Sequence, residues 1–125
     1  MSVKYLLIMF CAGGLGALSR FGLSNLVNQA AGGRFPLGTA AVNLAGCFLF
    51  GLFSTLGARQ GWPEPVRLVI LAGFLGAFTT FSSFIFDTFM VGQFRWSWSM
   101  MNVAGQIAVG FILLLLGMRA ARLFG

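Results

Sequence analysis

Between Gly73 and Phe84 the chain reads GFLGAFTTFSSF, setting four hydroxyls, Thr79, Thr80, Ser82 and Ser83, among four phenylalanines, Phe74, Phe78, Phe81 and Phe84. Elsewhere, long apolar runs are interrupted by Arg20, Asn43, Asp87, Asn102 and Gln106. This inventory is rich in donors. Asparagine and glutamine bring amide N–H groups, serine and threonine bring O–H groups, and arginine brings a guanidinium. Carboxylates are nearly absent, Asp87 being the one acid within an apolar run, so the set suits an anion better than a cation, whose path is expected to carry acidic groups. A phenylalanine ring edge is partially positive, so Phe81 and Phe84, three residues apart on one helical face, add a further kind of anion contact. No catalytic set is visible. The chain has no histidine, its two cysteines, Cys11 and Cys47, stand far apart within apolar runs, and no nucleophile is paired with a base. Single cysteines of this kind act as small apolar side chains.

The elements that must position these groups follow from composition. Of 125 residues, 58% are hydrophobic and 8% are charged, where a soluble domain is about one-quarter charged. A bilayer is therefore the expected solvent. A helical span needs about 20 apolar residues, and four such runs fit, at about residues 5–27, 38–57, 66–91 and 96–118. The chain reads as a single four-span domain over residues 1–125, all-α, with no room for a separate soluble module. The first run follows Lys4 and superficially resembles a signal peptide, but it is long and ends in no convincing cleavage site, so it reads as a retained helix.

The net charge of +6 does not point to nucleic acid, because the basic residues stand singly at helix ends and in short loops, with no clustered stripe. On the side of the termini stand Lys4, Arg59, Arg67, Arg119 and Arg122; on the other stand Arg34 and Arg95. The excess favours cytoplasmic termini. Short loops leave the decision to a few charges, so insertion in both orientations is compatible with the count. Trp62, Trp96 and Trp98 lie in connections, at the depth of an interfacial aromatic belt.

Within the spans, GGLGALS superficially resembles a phosphate-cradling loop but lacks the strand-to-helix context that motif needs. Ala12, Gly13, Gly16 and Ala17 fit close helix packing instead. Thr39, Asn43 and Cys47 repeat at i, i+4 and i+8, and Ser54 falls on nearly the same face, giving a sparse polar stripe. Asn102 and Gln106 share a face of the fourth span. The third span is a weak helix, because Gly73, Gly76 and two adjacent β-branched threonines all lower helix propensity. A break there is expected. It would free backbone carbonyls at membrane depth, which is tolerated only where protein or a water-filled cavity covers them, and broken helices commonly form ion sites. For a lone serine or threonine, helix-to-helix bonding is the simpler reading. For Asn43 both readings stand, while the adjacent hydroxyls of Thr79–Ser83 point around more than one side of a helix and exceed what one neighbour can satisfy.

Together these stretches resemble the Fluc/CrcB family of fluoride channels. GFLGAFTTFSSF is similar to the family's third-span signature, a glycine-rich stretch followed by a T-F-S-T-F motif. GGLGALSRF is similar to its first-span G-x-x-G-x-x-x-R-(F/Y) pattern and GTAAVNLAG to its G-T-x-x-x-N-x-x-G motif, and the resemblance extends over four spans and essentially the whole length. The resemblance implies a homodimer of antiparallel, dual-topology subunits with two fluoride pores along the interface. It implies passive export of fluoride across a bacterial-type inner membrane. Phe81 and Phe84 would line the pore edge-on, Asn43 would be the pore asparagine, and Ser82 and Ser83 would continue the polar track. Ser83 stands where the family often has threonine, and Asp87 where it more often has glutamate. Arg20, Thr80, Asp87, Asn102 and Gln106 are accessory positions. The resemblance also implies a structural, non-transported sodium ion at the dimer centre, held by the main-chain carbonyls of Gly76 and Thr79. Arg20 has three readings: a helix tether, a partner for Asp87, or a charge that concentrates anions at a vestibule.

Two other readings compete. A small multidrug-type proton-coupled exporter has similar length and span count, but such exporters carry a first-span glutamate where this chain has no acid. A non-transporting membrane scaffold would use the polar groups only to join helices.

Overall fold

A computed structural model describes residues 2–33 and 35–124. Arg34, one of the two basic residues counted on the far side, lies outside the described residues. Four stretches are helical, long and apolar enough to cross a membrane: Val3–Ala30, Leu37–Arg59, Glu64–Gly92 and Trp96–Ala121. They correspond to the four expected runs, the first three extended by one to three residues at each end and the fourth by three at its C-terminal end. The first is helix α1 (Val3–Ala30) and the second α2 (Leu37–Arg59). The third is composite: α3 (Glu64–Leu68), a π-helical stretch π1 (Val69–Leu75), α4 (Gly76–Phe78) and α5 (Phe81–Gly92). The fourth is α6 (Trp96–Ala121).

The helix ends follow local sequence. After α2, Gly61 takes φ +64° and the Trp62 N–H returns to the Gly57 carbonyl at 2.9 Å. That closes the helix with a left-handed glycine just past its end, a conformation other residues avoid. Pro63 precedes the first residue of α3 and Pro65 lies in its first turn, where a missing N–H costs no helical bond. At the start of α2 the Gly38 N–H donates to Asn28 Oδ1 at 2.8 Å, so a side chain of α1 satisfies one of the orphan donors.

Close backbone approach sets the packing. α2 lies against α6, where a Cβ on Gly51 would strike the Leu114 carbonyl and one on Gly117 the Phe48 carbonyl. α1 lies against π1 and α4, and a Cβ on Gly16 would strike the Phe74 carbonyl. These are the small-residue contacts that let helices approach without a hydrophobic driving force in lipid. Gly16 belongs to the small-residue set that the sequence assigns to packing. The small core consists of Val42, Leu75 and Phe78, bordered by Leu23, Ala45, Leu49, Phe53, Leu71 and Phe74. Leu75 and Phe78 of this core immediately precede Thr79 and Thr80 in the third span.

Candidate functional site: a hydrogen-bonded step in the third span

The helix of α4 stops at Phe78. Thr79 takes φ −90°, ψ 162° and Thr80 takes φ −149°, ψ 118°, both extended, before α5 begins at Phe81. Two adjacent β-branched residues favour this conformation over helix. Each threonine also makes local bonds that support it. Thr79 Oγ1 donates back to the Leu75 carbonyl at 3.0 Å. Thr80 Oγ1 accepts the Ser83 N–H at 3.2 Å, which is the N-cap bond that starts α5.

Asn43 of α2 faces this step. Its Oδ1 accepts the Thr80 N–H at 2.8 Å, and its Nδ2 donates to the Thr80 carbonyl at 3.0 Å. In an uninterrupted helix the Thr80 N–H would have served the Gly76 carbonyl four residues earlier. Asn43 therefore takes both backbone groups of Thr80 and leaves the Gly76 carbonyl without that donor. The second Nδ2 proton of Asn43 goes to Gln106 Oε1 of α6 at 3.0 Å. Both amide protons are thus engaged within the chain, and Asn43 can donate to an ion only by releasing one of these acceptors.

The polar contacts continue along α6. Gln106 Nε2 donates to Asn102 Oδ1 at 2.9 Å, and Asn102 Nδ2 donates to Thr88 Oγ1 of α5 at 2.9 Å. Thr88 Oγ1 donates to the Phe84 carbonyl at 2.7 Å, and Ser99 Oγ to the Thr88 carbonyl. Asn102, 2% exposed, is the most deeply buried of these polar side chains. The structure brings together Asn43, Thr80 and the Asn102–Gln106 pair, which the sequence singled out in three different spans. Thr88 and Ser99 were missed. Their signal was faint: each is one hydroxyl in an apolar helix, and only the i, i+4 pair of Asn102 and Gln106 hinted that the facing helix needed a partner.

The phenylalanines are not equivalent. The Phe81 and Phe84 rings lie 5.9 Å apart, tilted by 51°. Phe84 is 7% exposed, whereas Phe81 is 74% exposed and projects from the chain. Clefts flank the step on both sides. One, of about 300 Å³, is lined by Asn43, Cys47, Phe50, Thr79, Thr80 and Phe81 among others. The other, of about 250 Å³, includes Arg20, Ser24, Thr39, Thr80 and Ser83. Thr80 lines both. Its hydroxyl donates to Ser83 Oγ at 3.1 Å and lies 3.4 Å from Ser82 Oγ, so three of the four expected hydroxyls form one cluster. Arg20 reaches toward the step, with Nη1 3.5 Å from the Thr79 carbonyl, a long contact. Asp87 lies elsewhere, in a cleft with Asn28, Phe35, Met90 and Phe94.

Against known proteins, residues 7–118 match the family described as CrcB-like protein, Camphor Resistance (CrcB). This chain belongs to the CrcB-like family. It is 41% identical over 123 residues to a protein of Nitratidesulfovibrio vulgaris named fluoride-specific ion channel FluC, an alignment covering 97% of this chain and 99% of that one. A protein of the same name from Solibacter usitatus is 40% identical over 96% of this chain and 99% of its own length. One from Solidesulfovibrio magneticus is 45% identical over 90% and 91%. With four membrane-length apolar helices, this CrcB-like chain is a multi-pass membrane protein.

The cation that the family resemblance implies can be tested against the residues present. Gly76 is exposed on the single chain and Thr79 is partly buried. The Gly76 oxygen has lost its helical donor to Asn43, as described, and main-chain oxygens suit a hard cation. The Thr79 oxygen is shared with Arg20 at 3.5 Å, a contact that leaves its second lone pair free. The pair fits a monovalent cation in chemistry. Two oxygens are too few to replace a hydration shell, so the fit requires further ligands.

Proposed function

We propose that this CrcB-like chain is a fluoride-specific ion channel that lets cytoplasmic fluoride leave passively across the inner membrane, relieving its toxicity. The observation that carries the reading is the extended step at Thr79–Thr80. It is an irregular piece of backbone inside an apolar span, closed by Asn43 and flanked by clefts whose polar groups are donors. Non-helical backbone at that depth is tolerated only where protein or a water-filled cavity covers it, and interrupted spans of this kind commonly form ion sites. The relatives named fluoride-specific ion channels, about 40% identical along nearly the full chain, supply the ion.

Moving a carboxylate-sized ion into a dry medium of low dielectric costs on the order of 20 kcal/mol, and fluoride is smaller still. The path must therefore replace water stepwise without trapping the ion. Ser82, Ser83 and Thr80 offer hydroxyl protons, Phe81 and Phe84 offer ring edges, and Asn43 offers an amide proton at the step when it releases the Thr80 carbonyl or Gln106. Arg20 supplies positive charge beside the Thr80–Ser83 cleft. No bond is made or broken, so the activity is conduction and not catalysis.

The third span is read as a functionally broken helix, and the working unit as an antiparallel, dual-topology homodimer. Phe81 projects away from its own chain, and Gly76 is likewise exposed; a second copy would cover both. It would also contribute a second Gly76 and Thr79, completing the shell of a structural sodium ion at the centre. The exporter reading loses ground, because α1 brings a cation and no acid to the site.

Purified protein reconstituted into fluoride-loaded liposomes tests this directly. Fluoride release that needs no proton gradient, with chloride retained, is the expected result. Drug–proton exchange, or no ion movement, would replace the reading with an exporter or a scaffold.

A further inference from the structure

The hydrogen bonds beyond Asn43 have a fixed direction, and the backbone of Thr80 sets it. A backbone N–H can only donate, so the Asn43 atom facing it must be the oxygen, at 2.8 Å. The other end of that amide must then be the NH₂ group, and the Thr80 carbonyl accepts one of its protons at 3.0 Å. The remaining proton needs an acceptor, which turns the Gln106 oxygen toward Asn43. That leaves the Gln106 NH₂ facing Asn102, so the Asn102 oxygen must accept and its NH₂ must face Thr88. Thr88 Oγ1, having accepted, is free to donate its own proton to the Phe84 carbonyl. Every link donates in the same sense, from the Thr80 step through α2 and α6 and back to α5 at Phe84. Reversing any one amide would oppose two donors or two acceptors along the chain of bonds.

We propose that Gln106, Asn102 and Thr88 are positioning residues: a hydrogen-bond relay of fixed polarity that holds the Asn43 amide in the single orientation able to close the Thr80 step. They act through Asn43 and contact no ion in this role. The relay also ties the two ends of the first turn of α5 together. Thr80 caps its start and Thr88 binds the carbonyl of Phe84, so the phenylalanine pair sits between two anchored points. Apolar surroundings support a positioning role over a lining one. Among the described residues, Asn102 and Gln106 are the only side-chain amides lining a groove of about 620 Å³ shared with Phe35, Leu37, Leu44 and Trp98, and along their helix the two amides bond each other. The consequence for flux rests on the channel reading; the orientation of Asn43 does not.

The test combines flux with the side-chain amide signals of Asn43, observed by nitrogen-15 nuclear magnetic resonance of the full-length protein in lipid nanodiscs. Gln106→Met keeps the length and removes two links. Fluoride efflux is expected to fall about tenfold, and one of the two Asn43 NH₂ protons to move upfield while the Thr80-bound one stays. Asn102→Leu, which reaches Asn43 only through Gln106, is expected to cost about threefold. The double variant is expected to match Gln106→Met alone. Independent contacts would instead multiply to about thirtyfold, and that result would overturn the relay. So would unmoved Asn43 signals in Gln106→Met. Should Gln106→Met fail to assemble, Thr88→Val keeps the branched shape and is expected to move the Asn102 NH₂ signal; an unmoved signal there also overturns the proposal. A wild type that passes no fluoride would remove the channel reading, while the amide signals would still decide the relay.

Discussion

Asn43 and Thr80 form a reciprocal pair: one side-chain amide accepts the backbone N–H of Thr80 and donates to its carbonyl, at 2.8 and 3.0 Å. The amide stands in for the strand or helix neighbour that an extended residue would otherwise need. An extended residue inside a membrane span leaves both backbone groups orphaned, at a cost of several kcal/mol each in hydrocarbon. Asparagine has one donor end and one acceptor end at the spacing of a peptide group, so it can serve both at once. Aspartate cannot donate and leucine can do neither.

Asn43→Ala is accordingly expected to slow fluoride efflux by about tenfold or more while the subunits still assemble, because unsatisfied backbone groups cost about 1–3 kcal/mol once uncovered. Asn43→Asp is expected to be no better, since it restores the acceptor and not the donor. Wild-type efflux in both variants, measured beside an elution profile showing intact assembly, would remove Asn43 from the site.

The approach of α1 to the third span depends on Gly16, where a Cβ would meet the Phe74 carbonyl, whereas Gly14, two residues away, has open space. Gly16→Ala is expected to destabilise the fold by about 1–3 kcal/mol through overpacking, and Gly14→Ala to be nearly neutral. Thermal unfolding in detergent compares the two. Equal midpoints would mean that α1 does not pack as described.

Phe81 is 74% exposed and Phe84 7% exposed, so their replacements should separate function from stability. Phe81→Ile is expected to reduce efflux sharply with little change in the unfolding temperature, because an aliphatic side chain has no positive ring edge. Phe84→Ile is expected to reduce both. An efflux rate unchanged by Phe81→Ile would assign that ring to lipid contact.

Arg20 and Asp87 line different clefts, and the contact of Arg20 is with the Thr79 carbonyl. The double variant Arg20→Asp with Asp87→Arg is therefore expected to stay as impaired as Arg20→Asp alone. Recovery of flux in the swapped protein would show a working ion pair and contradict this placement.

The spans were readable because bilayer thickness imposes a length on apolar runs. The weakness of the third span was also readable, since Gly73, Gly76 and the paired threonines all disfavour helix. The π-helical stretch Val69–Leu75 was not. It adds residues to the turn without any change in apolar composition, and nothing in VILAGFL distinguishes it from a helix that lies flat against its neighbour. Asn43 was conspicuous as an amide in an apolar helix, but its partner was a backbone group, which carries no side-chain signature. Thr88 and Ser99 stayed hidden for a related reason: a lone hydroxyl can always return its proton to its own helix, so its sequence position does not announce a cross-helix bond. The non-equivalence of Phe81 and Phe84 depends on how α5 rotates after the extended step, and spacing alone cannot give that rotation.

The most direct measurement is fluoride release from liposomes that contain this protein alone, recorded with a fluoride electrode with sodium present on both sides and an ionophore clamping the membrane potential. The account predicts rapid release of trapped fluoride, retention of chloride under the same conditions, and no need for a proton gradient. Vesicles holding properly assembled protein that keep their fluoride would contradict it.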